Sequence, residues 1–190
     1  MGDCLPCKIH IIGSVGSGKT TLAKALSTNL MIPFYELDNV VWNRTELGDI
    51  RRSEQERDEY LKKIVDSQKW IIEGVHFGWV SNSFLNADLI VLLDTKYSKR
   101  IYRIIKRFIF QKIGIEKSNY KPTFKIFRKM FSWNALYENE TKTEILNELS
   151  EFKEKLIILE DSNDLSKILG NQSLNRLQTS NGWKNEKYYV

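Results

Sequence analysis

The stretch Gly13-Ser14-Val15-Gly16-Ser17-Gly18-Lys19-Thr20 decides the fold. It reads G-x-x-x-x-G-K-T, follows the apolar run 9–12, and opens a segment with helical spacing. A strand that enters a glycine turn and leaves into a helix gathers unpaired N–H groups at one point, with the positive end of the helix dipole behind them. Such a nest accepts a chain of phosphates, and the motif in this setting is a P-loop. Gly13, Gly16 and Gly18 are expected to adopt backbone angles barred to other residues and to leave room for phosphate oxygens. Lys19 reaches the β- and γ-phosphates as a point charge, and the Thr20 hydroxyl is placed to ligate Mg²⁺. Ser14, Ser17 and Thr21 complete the set expected against the nucleotide.

Outward from the loop, residues 8–12 read as a strand and 19–30 as a helix with Leu22, Ala25 and Leu26 on one side. A second strand is predicted at 33–37, a third at 70–72, a fourth at 89–93 and a fifth at 156–159. Ser53, with Glu56 three residues on, predicts a capping box opening a helix over 54–66. Residues 97–112 have helical spacing. A polar-aromatic stretch then runs to about Ala135, followed by a helix through Phe152 and a closing helix over 164–169. Short apolar strands alternating with helices give an α/β fold with a parallel sheet covered on both faces, and ligands bind at the carboxyl ends of its strands.

The composition is that of an ordinary water-soluble chain: 190 residues, 42% hydrophobic and 28% charged. No apolar run approaches the roughly 20 residues that span a bilayer, and the N-terminus lacks a signal pattern. A cytoplasmic protein with no membrane partner is therefore expected. Cys4 and Cys7 form a C-x-x-C pair, but no second pair or nearby histidine completes a zinc site, so reduced thiols are expected. The net charge of +5 is uneven: residues 96–129 hold twelve basic side chains and one acid, Glu116, giving +11 there and −6 elsewhere. Such a patch attracts phosphates, nucleic acid or an acidic partner.

The residues leaving each strand should converge on the loop. Asp38 follows strand two, where a carboxylate orients an attacking hydroxyl, holds a metal-bound water, or caps a helix. Trp42 serves as a wall of the acceptor site or as core. Glu73 and Gly74 end strand three, the glutamate for the metal's outer shell or the acceptor, the glycine for close approach of the acceptor. His76 is assigned no role. Asp94 ends strand four as a metal-coordinating acid or a helix cap. Arg100, Arg103 and Arg107 share one helix face and suit a clamp on a transferring phosphoryl group, with Arg128 joining from a flap. Tyr97, Ile101, Ile104, Ile105 and Phe108 mark the face expected to bury.

Taken together, the P-loop, Asp38 with Trp42, the Trp70–Gly74 strand end, Ala87-Asp88 and the arginine helix resemble the adenylate-kinase-like P-loop kinases, most of all the bacterial topology-modulation proteins. The resemblance covers about residues 8–170. It implies a P-loop NTPase three-layer fold with a five-stranded parallel sheet, and one domain over 1–170 with a helical lid at about 111–135 closing over ATP. A C-terminal tail, 171–190, follows. It also places the turn 161–164 near the adenine. Strand three ends Glu73-Gly74, where nucleotide kinases carry Asp-Gly and then an arginine, so a nucleoside monophosphate acceptor is not indicated; Arg51 and Arg52 are alternative acceptor-binding charges.

The leading expectation is a Mg²⁺-dependent kinase moving the γ-phosphoryl group of ATP to a small-molecule acceptor. Lys19 holds the donor, Asp38 orients the acceptor, Arg100, Arg103 and Arg107 neutralise the transferred group, and Thr20 and Asp94 serve the metal. The alternative is a nucleotide-dependent DNA-binding regulator of DNA topology that uses segment 96–129. No N-K-x-D or D-x-x-G sequence for a GTPase is present, and no helix-turn-helix or zinc-finger signature.

Overall fold

A computed structural model describes residues 6–45, 48–116 and 123–162. The elements run β1 (Lys8–Gly13), α1 (Lys19–Leu30), β2 (Phe34–Glu36), α2 (Leu37–Val41), β3 (Trp42–Thr45), β4 (Gly48–Arg51), α3 (Glu54–Val65), β5 (Trp70–Gly74), α4 (Ser81–Asn86), β6 (Leu89–Leu93), α5 (Tyr97–Lys112), α6 (Phe124–Leu136), α7 (Lys142–Leu149) and β7 (Leu156–Leu159). A π-turn, Tyr137–Thr141, joins α6 to α7, and a 3₁₀ segment, Ser150–Lys155, leads into β7.

Five strands make one parallel sheet in the order β2-β5-β1-β6-β7. The P-loop strand sits at its centre, with Ile11 opposite Glu73 on one side and Gly13 opposite Leu93 on the other. Side chains alternate across a strand, so Ile9, Ile11, Ile71, Val91 and Leu93 meet Leu22 and Leu26 of α1 on one face. Ile12, Trp70, Ile72, Ile90 and Leu92 meet α3, α4 and α7 through Leu61, Phe84, Ile145 and Leu149 on the other. The sheet is thereby covered on both faces, as its continuous apolar strands require. His10 points into the second face, where its ring packs on Phe84 at 4.5 Å and its Nδ1 meets the Ser83 hydroxyl at 2.8 Å.

The capping box is present: the Ser53 hydroxyl accepts from the Glu56 amide, and the Glu56 carboxylate accepts from the Ser53 amide at 2.9 Å. Three features depart from expectation. β3 and β4 pair as an antiparallel hairpin outside the main sheet, every described residue of it exposed. The helix expected to follow the polar-aromatic stretch after about Ala135 already starts at Phe124, where the Thr123 hydroxyl accepts from the Ile126 amide at 3.3 Å. On α5 the buried residues are Arg100, Ile104 and Gln111, while Tyr97 and Ile105 of the expected core face are exposed. Cys4, Lys117, Lys121, the helix expected over 164–169 and the tail lie outside the described residues. No helix among the described residues is long and apolar enough to cross a membrane.

Candidate active site

The loop between β1 and α1 has the geometry an anion needs. Gly18 caps α1 at φ 97°, contributes no side chain, and no acid stands in the first turn. The first N–H groups of α1 therefore have no side-chain acceptor on the helix itself. Gly16 has φ 78°, and a Cβ there would lie 2.8 Å from the Arg100 carbonyl oxygen. Gly13 is different from expectation. Its φ is not positive; what it requires is space, since a Cβ would lie 2.8 Å from the Ser17 hydroxyl and 3.1 Å from the Leu93 carbonyl.

The loop's carbonyls are tied down from the other side. Arg103 donates to Ser17 O at 2.6 Å and Gly16 O at 3.4 Å, and the Thr95 hydroxyl donates to Ser17 O at 3.1 Å. Ser14 and Ser17 are buried, and the Ser14 hydroxyl donates to Asn134 Oδ1 on α6 at 3.2 Å. Both serines thus offer a ligand their backbone rather than their side chains. Lys19 Nζ donates to Ser14 O at 3.4 Å, folded back over the loop.

A cleft of about 560 Å³ opens above the loop. Its wall includes Gly16, Gly18, Lys19, Thr20, Thr21 and Lys24, then Glu36, Asp38 and Arg44, then Glu73 and Gly74, and finally Arg103 and Arg107 of α5. The volume lies within the range of small-molecule sites, about 300–1,000 Å³.

Of the acids on its wall, Glu73 and Asp38 have shifted carboxyls. The register of β5 on β1 brings Glu73 beside the loop, where its Oε1 accepts from the Thr20 hydroxyl at 2.7 Å. Glu73 is buried, and its Oε2 has no hydrogen-bond partner among the described residues. Burial pushes its carboxyl above the usual range, while Lys19 and the Thr20 hydrogen bond pull the other way. Asp38, on α2, faces His76 Nε2 at 3.4 Å. The His76 hydrogen bond, with Lys19 and Arg44 adding charge, holds the Asp38 carboxyl below the usual range against partial desolvation.

The sequence-derived set divides here. The loop residues, Asp38, Arg103 and Arg107 come together around the cleft. Arg100 does not join its wall: the side chain is buried, paired with Glu138 and set 5.0 Å from the Tyr137 ring centroid. Asp94 is neither at the cleft nor the cap of α5, which is Lys96; it pairs with Lys142 at 2.7 Å. The space at Gly74 that was to admit an acceptor holds Leu37, 2.7 Å from where a Cβ would sit. Trp42 and Arg128 are not on the wall, and Trp42 is exposed rather than core. Sequence reasoning missed Arg44, which the hairpin swings over the cleft and which Asn39 and Asp49 hold in place. It also missed the pairing of His76 with Asp38. No local signal marks either one.

Set beside known proteins, no family profile matches the chain. A relative from Bacillus subtilis (strain 168), described as "Uncharacterized protein YqaC", is 31% identical over 144 residues, 74% of this chain and 79% of that protein. The shikimate kinase of Aquifex aeolicus (strain VF5) is 37% identical over 57 residues, 30% of this chain and 34% of that enzyme. Among solved structures, a shikimate kinase from Acinetobacter baumannii in complex with shikimate superposes with a TM-score of 0.51 at 15% identity, covering 93% of this chain and 97% of that one. That likeness is one of fold: the three-layer P-loop architecture with a five-stranded parallel sheet.

Proposed function

The chain belongs to the same family as Bacillus subtilis YqaC, and from the residues gathered at its cleft we propose that it is a P-loop small-molecule kinase, moving the γ-phosphoryl group of ATP to a hydroxyl or other acceptor oxygen. The observation that carries this reading is that Lys19, Asp38, Arg103 and Arg107 line one cleft. Mere nucleotide binding requires the loop and the lysine. An acid and two further arginines around the same volume are parts that phosphoryl transfer uses.

In this reading the α1 amides and Lys19 hold the β- and γ-phosphates. Arg103 and Arg107 neutralise charge spread over the transferring group, a service worth several kcal/mol in other phosphotransferases. Arg103 also fixes the loop carbonyls, so one residue links loop shape to charge. Arg100, buried against the loop at Gly16, acts as a positioning residue. Asp38 orients the acceptor hydroxyl. Its carboxyl, held low by His76 and Lys19, stays ionised and acceptor-only at neutral pH. Residues 111–135 are proposed as the lid, with Met130 of α6 already on the cleft wall.

Mg²⁺ fits the residues present. Thr20 and Glu73 stand together at the floor, and the buried Glu73 Oε2 has no other partner among the described residues. Among the described residues no group of three or more His, Cys, Asp or Glu could hold a metal, so an ion here depends on phosphate oxygens as well. Bound there, it would neutralise phosphate charge. Glu73 takes the metal-shell role expected of Asp94.

The DNA-binding reading loses part of its charge to internal pairs: Lys99 with Asp161, Arg100 with Glu138 and Arg107 with Glu116. The test of the kinase reading is an ATP-consumption screen over nucleosides, nucleoside monophosphates, sugars and hydroxy acids. Acceptor-dependent ADP formation supports it. ADP formation that no acceptor stimulates and that persists in Lys19→Ala contradicts it.

A further inference from the structure

We propose that the outward face of α5, with Phe124 of α6, docks this chain onto an anionic lipid surface. Tyr102, Ile105, Ile109 and Ile113 are 63%, 40%, 49% and 61% exposed. Their spacing of three and four residues places them in one stripe from Tyr102 to Ile113, the residue that caps α5, on a helix whose opposite side, Arg100, Ile104 and Gln111, is buried. Phe108 carries the stripe across to α6, with its ring 6.4 Å from that of Phe124, which is 64% exposed. A stripe of exposed apolar side chains, open to water, marks an interaction surface.

Its borders are basic. The Lys106 ammonium lies 5.3 Å from the Phe110 ring centroid and that of Lys112 5.9 Å from the Phe108 ring centroid, so both charges sit against aromatic rings beside the stripe, on side chains that remain exposed. From Tyr97 to Lys129 the sequence holds one acid, Glu116, and it pairs with Arg107 on the cleft side. The face therefore combines aliphatic side chains with lysines, Lys106 and Lys112, that have no ion pair among the described residues.

That combination selects the occupant. A second copy of the chain would bring like charges against each other. Duplex DNA answers the lysines but offers nothing to three exposed isoleucines. The interface of an anionic bilayer accepts both, the apolar stripe at the acyl boundary and the lysines among the headgroup phosphates. Arg103 and Arg107, facing the cleft, are left out of this contact, and Ile105 and Ile109, the positions used in its test, lie outside the 111–135 segment proposed as the lid.

The test is co-sedimentation of the full chain with vesicles of phosphatidylcholine alone or mixed with phosphatidylglycerol. Binding is expected to the mixed vesicles only, weakening as salt rises. The double substitution Ile105→Glu with Ile109→Glu should lower the vesicle partition coefficient at least about tenfold, because each places a like charge and an unpaired carboxylate at the acyl boundary. Its melting temperature and its basal ATP turnover should be those of the wild type. Leu85→Glu, on an exposed apolar residue of α4, should leave the partition unchanged. Absence of binding to mixed vesicles at low salt would overturn the proposal, as would undiminished binding by the double variant. So would a solution dimer that the double variant dissociates, or duplex DNA retained on this face with vesicles ignored.

Discussion

Histidine 10 should make the protein lose stability in mild acid, by an amount the structure sets. Its ring is fully buried in β1 against Phe84, and burial, with a smaller contribution from the charge of His76, pushes its pKa down to about 3 from an ordinary value of 6.5. The Ser83 hydroxyl donates to Val80 O at 2.7 Å, so it accepts from His10 Nδ1–H, which leaves Nε2 as the unprotonated nitrogen. Nε2 has no partner among the described residues, and a proton there would bring an unpaired charge into the core. In the unfolded chain the same histidine protonates near its ordinary value. Between the two pKa values the unfolded state therefore binds more protons, and stability falls as pH drops. The loss begins near the unfolded pKa, grows by about 1.4 kcal/mol per pH unit and ends near the folded one. At about pH 5 it amounts to about 2 kcal/mol. The assay is urea unfolding of wild type, His10→Asn and His10→Phe at about pH 7.5 and about pH 5. Both variants lose some stability outright, but the readout is the change between the two conditions, in which other titrating groups cancel. Wild type should lose about 2 kcal/mol more than either variant. Parallel losses in all three proteins would refute the reasoning.

The site yields further expectations. Glu73→Gln keeps an acceptor for Thr20 but removes the charge, so the Mg²⁺ concentration for half-maximal turnover should rise and kcat should fall about a hundredfold; an unchanged Mg²⁺ profile would remove Glu73 from the metal's surroundings. Gly16→Ala forces a left-handed residue and a contact with the Arg100 carbonyl, which should cost about 1–3 kcal/mol in urea unfolding and weaken ATP binding by at least tenfold in calorimetry. Wild-type values would show that the loop relaxes. Asp38→Asn should lower kcat about 10²- to 10⁴-fold while the ATP dissociation constant stays within about threefold, because the residue acts on the acceptor; a loss confined to ATP affinity would place Asp38 on the donor.

The sheet was legible in the sequence for a physical reason. Parallel strands buried on both faces must be nearly continuous apolar runs; 70–72, 89–93 and 156–159 are such runs bounded by turns, and 8–12 is one apart from Lys8 and His10. The Ser53–Glu56 box marked the start of α3 because two side chains there satisfy backbone groups locally. The hairpin of β3 and β4 left no such mark. All its described residues face water, so no alternation of apolar and polar side chains is imposed on it. On α5 the expected division of faces holds only in part: Ile104 is buried as expected while Tyr97 and Ile105 are exposed, and Arg100 turns inward because it finds Glu138 and the aromatic ring of Tyr137. Periodicity states that two faces differ; it does not state which one has a charged partner waiting. The same limit applies at the site. The P-loop is contiguous in sequence and was fully readable, whereas Glu73 with Thr20 and His76 with Asp38 exist only because β5 lies between β1 and β2.

Phosphorus NMR of the purified chain with ATP, Mg²⁺ and a pool of small hydroxylated metabolites tests phosphoryl transfer most directly. The expected result is ADP accompanied by a new phosphate-ester or acyl-phosphate resonance of equal intensity, both absent with Lys19→Ala. Inorganic phosphate as the sole product, or the same new resonance from Lys19→Ala, would contradict it.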